Sequence, residues 1–79
     1  MGDAMGSYYF NVQCDGFQIP DLVGEECPSL EAVRREALRT AQDLIRDNLL
    51  AGKTPHGWIE VEDEEHRPVM TLPLKAAAS

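Results

Sequence analysis

The sequence predicts an α+β domain of two layers, in the order β-β-α-β-β, with one long amphipathic helix packed across an antiparallel sheet. Three observations predict it. Ser7–Cys14 alternates polar and apolar residues and runs straight into Asp15-Gly16. Ser29 to Gly52 holds a helical apolar stripe between two capping residues. Trp58–Leu74 alternates again, with a polar turn in its middle.

In the first segment Tyr8, Phe10, Val12 and Cys14 share one face, and Ser7, Tyr9, Asn11 and Gln13 the other. Asp15-Gly16 suits the two positive-φ positions of a type I′ hairpin turn. Such a turn pairs Cys14 with Phe17 and Val12 with Ile19, all on the apolar face, so turn and pattern agree. Pro20 removes a ladder donor, which makes the second strand short and puts it at an edge. Asp21–Pro28 reads as a loop.

Ser29 is the expected N-cap, Glu31 suits the positive end of the helix dipole, and Gly52 stands where a C′ glycine belongs. Leu30, Val33, Ala37, Leu38, Ala41, Leu44, Ile45 and Leu49 form a stripe wide enough to cover a sheet. Arg34 and Asn48 interrupt it. Arg34 is expected to lay its methylenes over the sheet edge, and Asn48 to bond a free carbonyl near the helix end. On the far face Glu31–Arg35 and Asp43–Arg46 have ion-pair spacing, each contributing a few tenths of a kcal/mol.

After a polar loop at Lys53–Gly57, Ile59 and Val61 face the core, and Trp58, Glu60 and Glu62 face away from it. Met70, Leu72 and Leu74 face the core of the last strand, with Val69, Thr71 and Pro73 opposite. A turn centred on Glu65-His66 pairs Val61 with Met70 and Ile59 with Leu72, so the register is self-consistent. Pro68 and Pro73 bracket that strand and put part of it at an edge. One domain over residues 7–74 is expected, with disordered ends at 1–6 and 75–79.

Composition excludes more than it assigns. A formal charge of −7 over 79 residues leaves no basic surface for a nucleic-acid backbone. No apolar run is long enough to span a membrane. Met1–Gly6 has neither the basic head nor the apolar stretch of a secretory signal, and it misses the myristoylation pattern by one place. A cytoplasmic protein is expected. Cys14 and Cys27 are then reduced thiols, with one or both serving as small core residues. A chain this small has a thin margin over conformational entropy, and self-association is the expected supplement.

No cofactor or metal site is expected. Cys14, Cys27, His56 and His66 do not match zinc-ligand spacings, and the acidic run lacks a calcium loop. Nor is an enzyme expected. The chain has no nucleophile elbow, phosphate-binding glycine loop or zinc-protease motif. Cys27 stands near a helix N-terminus, which favours a thiolate, but Glu25 and Glu26 beside it favour the thiol. So small a domain also leaves little room for an enclosed pocket.

The helix has as many acids as bases, so the whole −7 lies outside it. Five acids fall within Glu60–Glu65. A solvated strand whose charges prevent edge-to-edge aggregation accounts for this pattern. So does a negative surface with Trp58 as aromatic anchor, made for a basic protein partner. On the second reading Trp58, Glu60 and Glu62 are the candidate protein-contact residues.

Tyr8-Tyr9-Phe10-Asn11-Val12, Asp15-Gly16, Asp21 to Gly24, Leu30-Glu31-Ala32, Ile59 to Glu64, Arg67-Pro68-Val69 and Thr71-Leu72-Pro73 together resemble a family of short bacterial proteins, a domain of unknown function. The resemblance runs from Tyr8 to Leu74 and implies the fold, but no mechanism. Glu65-His66 stands where that family more usually has an acidic residue and Gly, and His tolerates positive φ less well. A shorter stretch, Ile19-Pro20-Asp21-Leu22-Val23-Gly24 with Ser29-Leu30-Glu31-Ala32, is similar to HicB-type antitoxins. That likeness implies an α+β domain neutralising a small basic RNA-cleaving toxin, although no DNA-binding helical module accompanies it here. Either way the expectation is a protein-interaction module whose partner is a basic protein or a second copy of the chain.

Overall fold

The structure, a computed structural model, describes residues 6–77. The expected fold class is observed, with one strand more than expected. In chain order the elements are β1 (Gly6–Cys14), β2 (Phe17–Ile19), β3 (Glu25–Cys27), α1 (Leu30–Leu50), β4 (Gly57–Glu62) and β5 (Pro68–Pro73), closed by a 3-10 turn at Leu74–Ala77. The main sheet is ordered β2-β1-β4-β5, every pairing antiparallel, and β3 pairs with the start of β1.

Both expected hairpins form. Asp15 and Gly16 take φ of 49° and 86°, and Cys14 pairs with Phe17 and Val12 with Ile19. Val61 pairs with Met70 and Ile59 with Leu72, and the register slips just beyond, where Glu62 meets Pro68. The proline-bounded strands β2 and β5 stand at the two edges.

The segment Asp21–Pro28 is not all loop, contrary to expectation. Glu25–Cys27 pairs with Gly6–Tyr8 in the direction already set by β2. Between Ile19 and Glu25, Pro20–Gly24 stand beside Tyr9–Asn11, so the chain bulges and then resumes pairing. Asp21 holds the bulge. Its carboxylate accepts the N–H of Phe10 at 3.1 Å, of Val23 at 3.1 Å and of Gly24 at 3.0 Å, while its own N–H donates to Asn11 Oδ1 at 2.9 Å.

The helix is capped as expected. Ser29 Oγ accepts the N–H of Ala32, and Gly52 closes the far end at φ 78°. Its buried line is narrower than expected. Val33, Ala37 and Ala41 are fully buried against a layer containing Ile59 and Val61, with Leu38, Leu44 and Ile45 half-buried around them. Leu30 and Leu49, placed in the core stripe by their spacing, are exposed. Leu30 stands on the first turn of α1 and Leu49 on the last, beyond the buried span from Val33 to Ala41. Ile19 is likewise exposed, since β2 stops at the sheet edge.

Arg34 lies exposed, and of the two expected helix pairs only Asp43–Arg46 closes among the described residues, at 2.9 Å. Asn48 Nδ2 bonds the carbonyl of Leu44 at 2.8 Å rather than a free terminal one. The terminal carbonyls are taken instead by the N–H groups of Ala51, Gly52 and Lys53. Gly6 and Lys75–Ala77, expected among the disordered ends, belong to β1 and the 3-10 turn. The remainder of those two ends falls outside the described residues.

Candidate functional site

The helix covers one face of the sheet and leaves the other uncovered. Phe10, Val12, Cys14, Ile59, Val61 and Leu72 are buried beneath α1. The alternate residues therefore make the open face. Cross-strand pairing sets that face out in rows: Gln18, Gln13, Trp58 and Pro73 in one, Asn11, Glu60 and Thr71 in the next, then Tyr9 and Glu62. Trp58, Glu60 and Glu62 thus share the open face, as their period-two spacing predicts. Trp58 is 43% exposed, while Glu60 and Glu62 are half-buried among the neighbouring rows.

Charge on this face is unevenly balanced. Glu62 lies 3.3 Å from His66 Nδ1. Arg67 pairs with Asp63 and with Glu65 in the turn beyond. Glu60, between Asn11 and Thr71, forms no ion pair among the described residues. Beside it lies a shallow groove of about 380 Å³ whose walls include Tyr9, Asn11, Gln13, Gln18, Glu60 and Glu62. The groove can accept hydrogen bonds from carboxylates and amides and offers aromatic surface, a set suited to a cationic or hydrogen-bond-donating side chain.

Tyr9 and His66 join this site although their patterning did not single them out. Their rings stack with centroids 4.9 Å apart and planes 19° apart. The contact depends on the turn. Asp63 Oδ1 accepts the N–H groups of Glu65 and Arg67, and Asp63 and Arg67 close the backbone, which sets His66 at φ 63°. The Arg67 N–H is the main cause holding the Asp63 carboxyl below its ordinary pKa; partial desolvation opposes it, and the Glu65 N–H and the Arg67 guanidinium reinforce it. The pairing of Tyr9 with Glu62 was readable from the strand registers. The ring stack was not, because it needs the left-handed His66.

The residues considered for catalysis do not converge. Cys14 and Cys27 are free and buried. Burial, then the carboxylates of Glu25 and Glu36, push the Cys27 thiol above its usual pKa, opposite to what a nucleophile needs. Cys14 is raised by burial first, and its Sγ bonds the Asp15 carboxylate at 3.2 Å. His56 contributes its backbone carbonyl to the Asp15 N–H. Among the described residues no group of three or more His, Cys, Asp or Glu is placed to hold a metal. A cleft of about 700 Å³ between β3 and α1, beside Cys27, is larger than expected for so small a chain, but it is open to solvent. No helix among the described residues is long and apolar enough to cross a membrane.

Residues 7–75 match the family model described as Domain of unknown function (DUF6894). No curated protein and no solved structure matches the chain.

Proposed function

The chain belongs to the DUF6894 family, and from that premise we propose that it is a non-catalytic protein-interaction module whose open sheet face docks a basic protein partner. The observation that carries this reading is Glu60, a carboxylate with no ion pair among the described residues, set beside the exposed Trp58 in the middle of an uncovered sheet. An exposed Trp ringed by polar groups is a common binding anchor, and a surplus of one charge steers a partner of the other. The formal −7 supplies that steering field and disfavours nucleic acid as the direct ligand. The raised thiol of Cys27 favours binding over catalysis.

Co-purification of the native chain alongside a Trp58→Ala, Glu60→Gln, Glu62→Gln variant tests the reading. A basic protein held by the native chain, lost by the variant and released by salt is expected. Equal retention by both chains contradicts the assignment of this face.

A further inference from the structure

We propose that Leu22 and Pro20 form an apolar wall of the groove on the open sheet face, and that its occupant is an extended segment of the partner in which basic and aliphatic residues alternate. The inference rests on the reading of that face as a docking site for a basic protein, and it adds the half of the partner that charge leaves unspecified. The groove of about 380 Å³ follows β1, with Asn11 and Gln13 among its lining. Glu60 and Glu62 of β4 stand along one side, and Pro20 and Leu22 of the bulge along the other. Leu22 is 85% exposed. A lone exposed leucine is ordinary on a protein surface, but this one stands across a charged groove from two carboxylates.

The two walls select the occupant. From Tyr9 to Gln13 the groove follows roughly 13 Å of strand, the length of about four extended residues. Successive side chains of an extended chain point to opposite sides. A segment lying along β1 therefore sends one residue toward Glu60 and Glu62 and the next toward Leu22. The carboxylates take a cation, since Glu60 has no ion pair among the described residues. Leu22 and Pro20 offer no hydrogen-bonding side chain, so an aliphatic residue suits their side. The apolar wall is also held in place. The Asp21 carboxylate accepts the N–H groups of Val23 and Gly24, and a Cβ at Gly24 would lie 3.1 Å from the Tyr9 ring. Tyr9 in turn stacks on His66. The bulge and the aromatic end of the groove thus brace each other before a partner arrives, which lowers the ordering cost of binding.

Fluorescence anisotropy of the full chain with two labelled peptides of equal charge tests this, one alternating arginine with leucine and the other arginine with serine. The native chain should bind the leucine peptide more tightly, by on the order of tenfold. Leu22→Ser should erase that preference and leave binding of the serine peptide unchanged. Circular dichroism checks the fold of the variant, to which so exposed a residue contributes little. Val23→Ser is the control and should keep the preference, because Val23 is 89% exposed yet stands outside the groove. Equal affinity of the native chain for both peptides overturns the apolar wall and leaves the basic-partner reading standing. A preference that survives Leu22→Ser, or that Val23→Ser also abolishes, overturns it too. Binding of neither peptide removes the basic-partner reading and this proposal with it.

Discussion

The carboxylate of Asp21 accepts the backbone N–H of Phe10 at 3.1 Å, so a side chain serves β1 where the neighbouring strand has bulged away. The same group turns back to the N–H groups of Val23 and Gly24. One residue thus bridges β2 and β3 and keeps both registers on β1.

Asp21→Ala should cost about 2–3 kcal/mol, since it strips a charged acceptor from three N–H donors, and urea unfolding measures it. Burial raises the Asp21 pKa, but the N–H groups of Gly24, Phe10 and Val23 together outweigh it and hold it below the ordinary value. A depressed folded pKa contributes stability above the unfolded value that is lost as pH falls through the folded one. The stability gap between native chain and variant should therefore be constant above about pH 5 and shrink below about pH 4.

His66 separates two opposing effects. At φ 63° it sits where glycine is at ease, and it also stacks on Tyr9. His66→Ala keeps the backbone strain and loses the stack, so a loss of about 1 kcal/mol is expected. His66→Gly loses the same stack and relieves about 1 kcal/mol of strain, so it should melt close to the native chain. Thermal unfolding of the two variants compares them directly; equal melting temperatures contradict the strain argument.

Both hairpins were legible because their information is local: a period of two, a turn dipeptide, and a register in which both agree. Glu25–Cys27 was not legible. Two exposed glutamates and one buried cysteine carry no alternation long enough to announce a strand, and its pairing is imposed by the Asp21 bulge. Leu49 illustrates a second limit. Its position on the helical wheel is apolar, but it lies on the last turn, past the buried span from Val33 to Ala41, and a wheel does not show where along the helix the core ends. At the candidate site, alternation alone put Trp58, Glu60 and Glu62 on one face. The neighbours that shape that face, Tyr9 and His66, meet only through the turn after β4.

Gly57 marks a close backbone approach between β4 and β1. A Cβ built there would lie 1.9 Å from the Gln13 carbonyl oxygen, with φ at 157°. Gly57→Ala should cost about 3 kcal/mol or more, because only backbone can give way. Loss of the cooperative unfolding transition in circular dichroism is the expected result.

Cys14 and Cys27 should resist alkylation in the native protein. Both are buried, with thiol pKa values raised in each case chiefly by that burial. Labelling at neutral pH, followed by mass spectrometry, should proceed more slowly than for a free cysteine and reach both sites once urea unfolds the chain. Rapid labelling of Cys27 alone in the folded state would revive a nucleophilic role.

Amide chemical-shift mapping with an arginine- and lysine-rich peptide tests the open face most directly. The account predicts salt-sensitive shifts concentrated on Tyr9, Asn11, Gln13, Trp58, Glu60 and Glu62, with the exposed side of α1 unchanged. Shifts confined to α1, or spread evenly over every acidic residue, would contradict it.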